Sequence, residues 1–303
     1  MIFKKPKFWD YKKLSFLSYL LLPFTILILV NNFFLNRSSI IKSDKIKSIC
    51  IGNIYLGGTG KTPTAIKIYN LLRDLKYKVV TAKKFYESHK DEQKILENRT
   101  RFISANSRKK IIDISIRNKE EIIVFDDGLQ DRNINYDLKF VCFDADYWIG
   151  NGQLIPAGPL REKIESLNKF DAVFIKNDNN LNLEEIYKTI RNINSQIEIF
   201  CSNYYVENSS DFDKSKNYIS FCGIGNPLSF QKLLIKEKFK IIDKTIFPDH
   251  YEYNDDEINK ILNKAKKLNA KIITTEKDFV KISDIYNKDI DFLKVKINFE
   301  EEE

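Results

Sequence analysis

Residues 57–62, Gly-Gly-Thr-Gly-Lys-Thr, follow the short apolar run IKSICI (46–51) and precede the helical pattern PTAIKIYNLLRDL. No other stretch restricts the fold as much. Small residues let main-chain N–H groups wrap a phosphate chain, and the start of a helix adds positive potential there. In such a turn Gly57, Gly58, Thr59 and Gly60 supply the amides, Lys61 reaches the terminal phosphates of ATP, and Thr62 offers its hydroxyl to Mg2+. One position departs from the pattern. The first glycine of G-x-x-x-x-G-K-[ST] falls at residue 55, where the chain has Tyr55. Behind the turn Ala65, Ile66, Tyr69, Leu72 and Leu75 recur at helical spacing, so that helix is expected to bury one face.

A second part of a nucleotide site lies in EEIIVFDDGLQ, where Ile122 to Phe125 read as a buried strand ending in Asp126 and Asp127. Carboxylates at the end of a parallel strand beside a phosphate loop are where Mg2+ or its water shell needs anionic oxygen. KFVCFD and DAVFIK read as two more buried strands, which gives the strand–helix rhythm of a mostly parallel sheet. The expected fold is therefore α/β, a P-loop NTPase-like domain with a smaller second α/β domain. In the second part NYISFC, FKIIDKTIF and KIITT read as strands. Ile258, Ile261, Leu262, Ala265 and Leu268 mark a helix face, and TEKD caps a further helix. Between the strands of the first part, GNGQLIPAGPLREKIESL contains a turn at Gly158–Leu160, after which Arg161 and Glu162 are expected to open a helix.

From Leu14 to Asn36 the chain carries no charged residue. Length alone permits a helix to span a core of about 30 Å. Lysines precede this segment and Arg37, Lys42, Lys45 and Lys47 follow it, so a single span exports one basic flank, which the positive-inside tendency resists. A hydrophobic helix or bent hairpin held in one leaflet keeps both flanks on anionic headgroups. The expectation is a membrane-associating segment at 1–42, with one true span as the alternative. With 50 basic and 42 acidic side chains the formal charge is +8. No arginine-rich block or aromatic-interleaved basic stripe accompanies it, which argues against nucleic acid. The four cysteines form no C-x-x-C pair, which argues against a zinc knuckle or disulfide framework.

GNIYLGGTGKTP, DDGLQ, NGQLIPAGPLRE, FPDHYEY and TTEKDFVKI, in this order and preceded by KPKFW, resemble the tetraacyldisaccharide 4'-kinase family, the lipid A 4'-kinases. The resemblance covers the whole chain. It implies transfer of the γ-phosphate of ATP to the 4'-hydroxyl of a tetraacyldisaccharide 1-phosphate, a lipid substrate, at the cytoplasmic face of the bacterial inner membrane, with no obligate protein partner. It also implies two α/β domains with the acceptor between them. Lys61 and Thr62 match the phosphate and magnesium residues, Asp126 and Asp127 the acidic pair, Gln130 a residue of the same motif, and Arg161 and Glu162 the Arg-Glu that closes PAGPLRE, the glutamate near magnesium. Asp91 matches the proposed catalytic base and His250 its partner, which the resemblance places across one cleft.

Three departures stand out. AKKFYES replaces an Arg-Gly-Tyr-Gly segment, leaving Lys83 or Lys84 to keep the basic charge without bidentate geometry. Asp131 stands where histidine is common, and Lys90 and Gln93 flank Asp91–Glu92 in place of glycine and proline. The expected domains are 43–201 for the kinase part and 202–303 for the smaller part. A rival from another class is a membrane-recruited ATPase switch of the MinD or ParA type. Its signature lysine falls at position 56, which is Leu56 here.

Overall fold

Strands buried on both faces read as near-continuous apolar runs, and the interior stretches Ile49–Ile51, Ile123–Phe125 and Val141–Phe143 of the central strands do. The computed structural model describes residues 5–27, 30, 41, 43–87, 90–131 and 133–300. Its first strands are β1 (Lys47–Gly52), β2 (Val79–Lys84), β3 (Phe102–Ala105), β4 (Ile122–Asp126), β5 (Leu138–Asp144), β6 (Ala172–Lys176) and β7 (Glu198–Val206). They are followed by β8 (Asn217–Cys222), β9 (Lys240–Ile246), β10 (Lys271–Thr275), β11 (Ile290–Leu293) and β12 (Val295–Phe299). One sheet has the order β12-β7-β6-β5-β1-β4-β2-β3, the other β11-β10-β8-β9. From β7 to β3 every pair is parallel, as are all pairs of the second sheet. The helices that matter below are α1 (Phe16–Leu21), α2 (Lys61–Asp74), α3 (Lys90–Arg99), α4 (Arg108–Arg117), α5 (Glu184–Ile193), α6 (Pro227–Lys236), α7 (Asp255–Lys267) and α8 (Glu276–Phe279).

The chain divides into two units, and the division is not the simple one expected from the sequence. One unit comprises Lys5–Phe85, Arg99–Tyr204 and the segment from Ile297; the other comprises Tyr86–Asn98 and Tyr205–Lys296. Asp91 therefore belongs with His250 rather than with the phosphate loop. The physical reason is local: α3 buries Ile95 and Leu96 and supplies partners to residues after 249.

In the larger unit, α2 lays Ala65 and Tyr69 on β1 and β4, in a cluster with Ile49, Ile51, Val124 and Cys142. Full burial of such side chains contributes about 1.5–3 kcal/mol each. Leu75, expected on the same face, is exposed because the helix ends at Asp74 and residue 75 is its cap. In the smaller unit, Ile258, Ile261 and Ala265 of α7 pack with Phe221 and Ile272. Leu268 is the cap beyond that helix and is largely exposed. Among the described residues no helix is long and apolar enough to cross a membrane. Residues 1–4, 28–29, 31–40 and 42 of the expected membrane segment lie outside the described residues.

Candidate active site

The strand–turn–helix expected around Lys61 is present, with β1 ending at Gly52 and α2 beginning at Lys61. Gly57 and Gly60 have φ of 151° and 86°. Gly60 lies in the left-handed region, which costs glycine little and other residues about 1–2 kcal/mol. The Tyr55 departure has a structural cause. Its ring is buried, its hydroxyl donates to Asp10, and Lys5 Nζ lies 2.8 Å from its oxygen. Its backbone bridges Leu160, and Leu56 N donates to Pro159 O at 2.9 Å. Position 55 thus serves packing between the amino-terminal segment and the Pro-Leu-Arg stretch, and the phosphate turn itself begins at Gly57.

Asp126 ends β4, beside the start of α2. Thr62 Oγ1 donates to Asp126 Oδ2 at 2.9 Å, and Lys83 Nζ donates to the same oxygen at 2.8 Å. Both members of the Lys83–Asp126 pair are buried. Of the two lysines, Lys83 brings a buried positive charge to Asp126. Asp126 Oδ1 is buried without a hydrogen-bond partner, as is Thr59 Oγ1. A buried polar atom without a partner is expensive, and an anionic oxygen so placed suits a hydrated divalent cation.

Asp127 follows with φ of 61°. Lys61 Nζ is 3.9 Å from its Oδ2, and Arg161 Nη1 is 3.6 Å from its Oδ1. The turn is held from behind by Arg108, the first residue of α4, which donates to Asp127 O at 2.5 Å and to Asp131 Oδ2 at 2.6 Å. Asp131 accordingly serves as the counter-ion of a buried guanidinium. Arg108 escaped the sequence reading because a basic residue opening a helix is unremarkable; its partner Asp131, an acid at an unusual position, was the available signal.

Gln130 bridges two parts of the site: its amide nitrogen donates to Asn53 O at 2.8 Å, and its oxygen accepts from Arg161 Nη1 at 3.2 Å. Arg161 N donates to Ile54 O at 2.7 Å. The expectation that Arg161 and Glu162 open a helix fails. They lie on a bend, and only a 3-10 helix, Ile164–Lys169, follows. The main-chain N–H of Arg161 is tied to Ile54 O, across to the chain ahead of the phosphate turn rather than into a helical turn. Glu162 is buried. Among the described residues no group of three or more His, Cys, Asp or Glu converges to hold a metal ion alone. Mg2+ commonly binds one or two carboxylates and otherwise phosphate oxygens and water, so Thr62 with Asp126 and its unpartnered oxygen fits that need.

The smaller unit brings Asp91 and His250 together. Asp91, near the start of α3 and 3% exposed, lies 3.1 Å from His250 Nδ1 through Oδ2. The main chain of Glu92 donates to its Oδ1 at 2.8 Å. Burial works to raise the Asp91 pKa, but the His250 hydrogen bond and the Lys277 charge outweigh it, holding the carboxyl below the usual aspartate range. His250 has φ of 56°, a left-handed conformation in which histidine is uncommon.

A sequence profile of the Tetraacyldisaccharide-1-P 4'-kinase family matches residues 17–303. A tetraacyldisaccharide 4'-kinase of Pelagibacter ubique is 43% identical over 303 residues, covering 100% of this chain and 96% of the relative. This chain belongs to the tetraacyldisaccharide-1-P 4'-kinase family. A family member of Rickettsia bellii is 34% identical over 299 residues, covering 92% of this chain and 89% of its own. The fold matches a crystal structure of LpxK from Aquifex aeolicus in complex with ATP, with TM-score 0.69, 22% identity and coverage of 94% and 95% of the two chains. Family membership and Leu56 together favour the 4'-kinase over the ATPase switch.

Proposed function

We propose that this chain is a kinase that transfers the γ-phosphate of ATP to the 4'-hydroxyl of a tetraacyldisaccharide 1-phosphate, with Asp91 as general base. The loop amides of residues 57–60 and Lys61 bind the phosphate chain. Thr62 and Asp126, joined by Asp127 and, as the family resemblance implies, Glu162, would hold Mg2+. When bound, that ion neutralises charge on the phosphates being separated. Arg161, oriented by Gln130 and Asp127, adds a positive charge beside the loop.

At the acceptor, Asp91 takes the hydroxyl proton as the oxygen attacks phosphorus, a contribution of roughly 10²- to 10⁴-fold. A carboxyl held below the ordinary aspartate range stays ionised at neutral pH, so the base is in its working form before substrate binds. His250 orients that carboxylate. Loop alignment and charge neutralisation supply most of the remaining acceleration.

The observation that supports this reading most directly is the convergence of the Thr62 hydroxyl and a partnerless buried oxygen on Asp126, immediately behind the phosphate turn. Its test is incubation with Mg·ATP, with and without disaccharide 1-phosphate lipid in detergent micelles, followed by mass spectrometry. A 1,4'-bisphosphorylated product is expected. Hydrolysis of ATP without acceptor and no such product would refute the kinase assignment. The lipid acceptor places the reaction at a membrane surface, in this reading the cytoplasmic face of the inner membrane, where ATP is available.

A further inference from the structure

Lys277 is the second residue of α8, between Glu276 and Asp278. A cation is unfavourable at a helix start, where the backbone already presents positive potential. The short helix is nonetheless firmly held: Thr275 Oγ1 caps Asp278 N at 3.1 Å, and Asp278 Oδ1 accepts from the Tyr253 hydroxyl at 2.9 Å. This rigid turn aims the ammonium group at four partners. Lys277 Nζ is 3.3 Å from Glu92 Oε1, 3.6 Å from Asp249 Oδ1, 3.7 Å from Asp91 Oδ2 and 3.5 Å from His250 Nε2.

We propose that Lys277 is a positioning residue that fixes the His250 tautomer and, through it, keeps Asp91 ready to accept a proton. The inference rests on the reading of Asp91 as the base. An ammonium donates and never accepts. The ring nitrogen it faces therefore takes the lone-pair role, which puts the ring proton on Nδ1, where it points at Asp91 Oδ2. Asp249 Oδ2, 3.9 Å from the same Nε2, pulls the other way. The direct contact is the Lys277 one, and the ammonium also neutralises Asp249. The groups facing the pair are thus Glu92 on α3, Asp249 beside His250, and Lys277 on α8.

Lysine carries this role better than a second histidine or an asparagine. Its three acidic neighbours push its pKa well up against the effect of burial, so the charge persists throughout the working range of the enzyme. Removing it takes away a positive charge near Asp91, the kind of partner that lowers an aspartate pKa by about one unit or more. It also frees Nε2 to carry the ring proton.

The test uses the full chain and the variants Lys277→Met and Lys277→Arg, with Asp91→Asn as reference. Lys277→Met is expected to shift the acid limb of the kcat/KM–pH profile upward by about one unit, with ATP affinity by calorimetry unchanged. Lys277→Arg, which keeps the charge, is expected to restore the limb. Nitrogen-15 shifts of the histidine rings, His250 being assigned from its loss in His250→Gln, are expected to show the proton on Nδ1 in the unsubstituted protein and on Nε2 in a growing share of Lys277→Met. An unmoved limb in a folded Lys277→Met, or a ring proton on Nε2 in the unsubstituted protein, overturns the proposal. Full turnover in Asp91→Asn would bring down the base assignment and this proposal with it. Lost turnover there, together with an unmoved limb in Lys277→Met, would bring down this proposal alone.

Discussion

A carboxylate as deeply buried as Asp126 is stable as an anion only with hydrogen bonds or a counter-charge, and Lys83 supplies both at 2.8 Å. Removing Lys83 takes the counter-charge from the buried Asp126 carboxylate, leaving it the Thr62 hydroxyl as hydrogen-bond donor. Such a loss costs about 3–5 kcal/mol, whereas replacing both with apolar groups is often neutral. Lys83→Met is therefore expected to lower unfolding free energy by about 3 kcal/mol, and Lys83→Met with Asp126→Leu to recover most of it. Chemical denaturation of the two variants and of Asp126→Leu completes the cycle. A cost below about 1 kcal/mol for Lys83→Met alone would mean that the pair does not act as a unit. The double variant is expected to be inactive despite its stability, since Thr62 loses the oxygen that receives its hydroxyl.

At the scale of the element, the phosphate turn needs glycine at Gly57 and Gly60, both at positive φ, and not at Gly58. A Cβ on Gly60 would be strained at φ of 86° and would lie 3.0 Å from the Tyr204 hydroxyl, whereas a Cβ on Gly58 meets nothing within 4 Å. Gly60→Ala is expected to cost about 1–2 kcal/mol, seen as a fall in Tm of about 2–4 °C or more. Gly58→Ala should leave Tm where it is and act only on nucleotide affinity. Equal Tm losses in a thermal scan would show that the turn is not strained at position 60. The strand ahead of this turn was legible in sequence because parallel strands buried on both faces are mostly apolar, as Ile49–Ile51, IIVF and AVFI are. The turn was legible because glycines and a lysine at that spacing have few other uses. The TEKD cap was legible too, since Thr275 satisfies a backbone N–H that would otherwise lack a partner. Lys277 was not, because a lone lysine between two acids reads as a solvated helix start, and only the fold brings Asp91, Asp249 and His250 to it. The same limit hid the allegiance of α3: sequence order places 86–98 among the strands of the larger unit, while Asp91 and Lys94 find their partners at His250 and Val280.

At the scale of the whole molecule, the amino-terminal segment joins the larger unit instead of hanging from it. Trp9 is 1% exposed; its indole N–H donates to Pro156 O at 3.0 Å, and its carbonyl accepts from Asn151 N at 2.9 Å. Gly150 exists for this contact, because a Cβ there would meet Trp9 O at 2.2 Å. Ser18, at the third position of α1, is buried and accepts from Asn151 Nδ2 at 3.1 Å. One side of α1 is thus tied to the loop that leads into Arg161 and Glu162, while Phe16, Leu20 and Leu27 are 82%, 60% and 67% exposed. Exposed apolar groups of this size, on α1 and just beyond it and following Lys12 and Lys13, suit the headgroup–acyl boundary of an anionic bilayer. Deleting the segment would therefore confound two effects, since loss of Trp9 disturbs the loop as well as any membrane contact. Point charges on the exposed side separate them. Phe16→Asp with Leu20→Asp is expected to weaken partitioning onto anionic vesicles by more than about tenfold, given about 25 cal/mol per Å2 of apolar surface transferred, and to leave Tm and turnover on micellar substrate near their original values. Trp9→Ala is expected to do the reverse, lowering Tm and turnover with vesicle binding retained. Unchanged partitioning of the Phe16→Asp, Leu20→Asp protein in a vesicle sedimentation assay would remove α1 from the membrane contact, because no buried role competes for those two side chains.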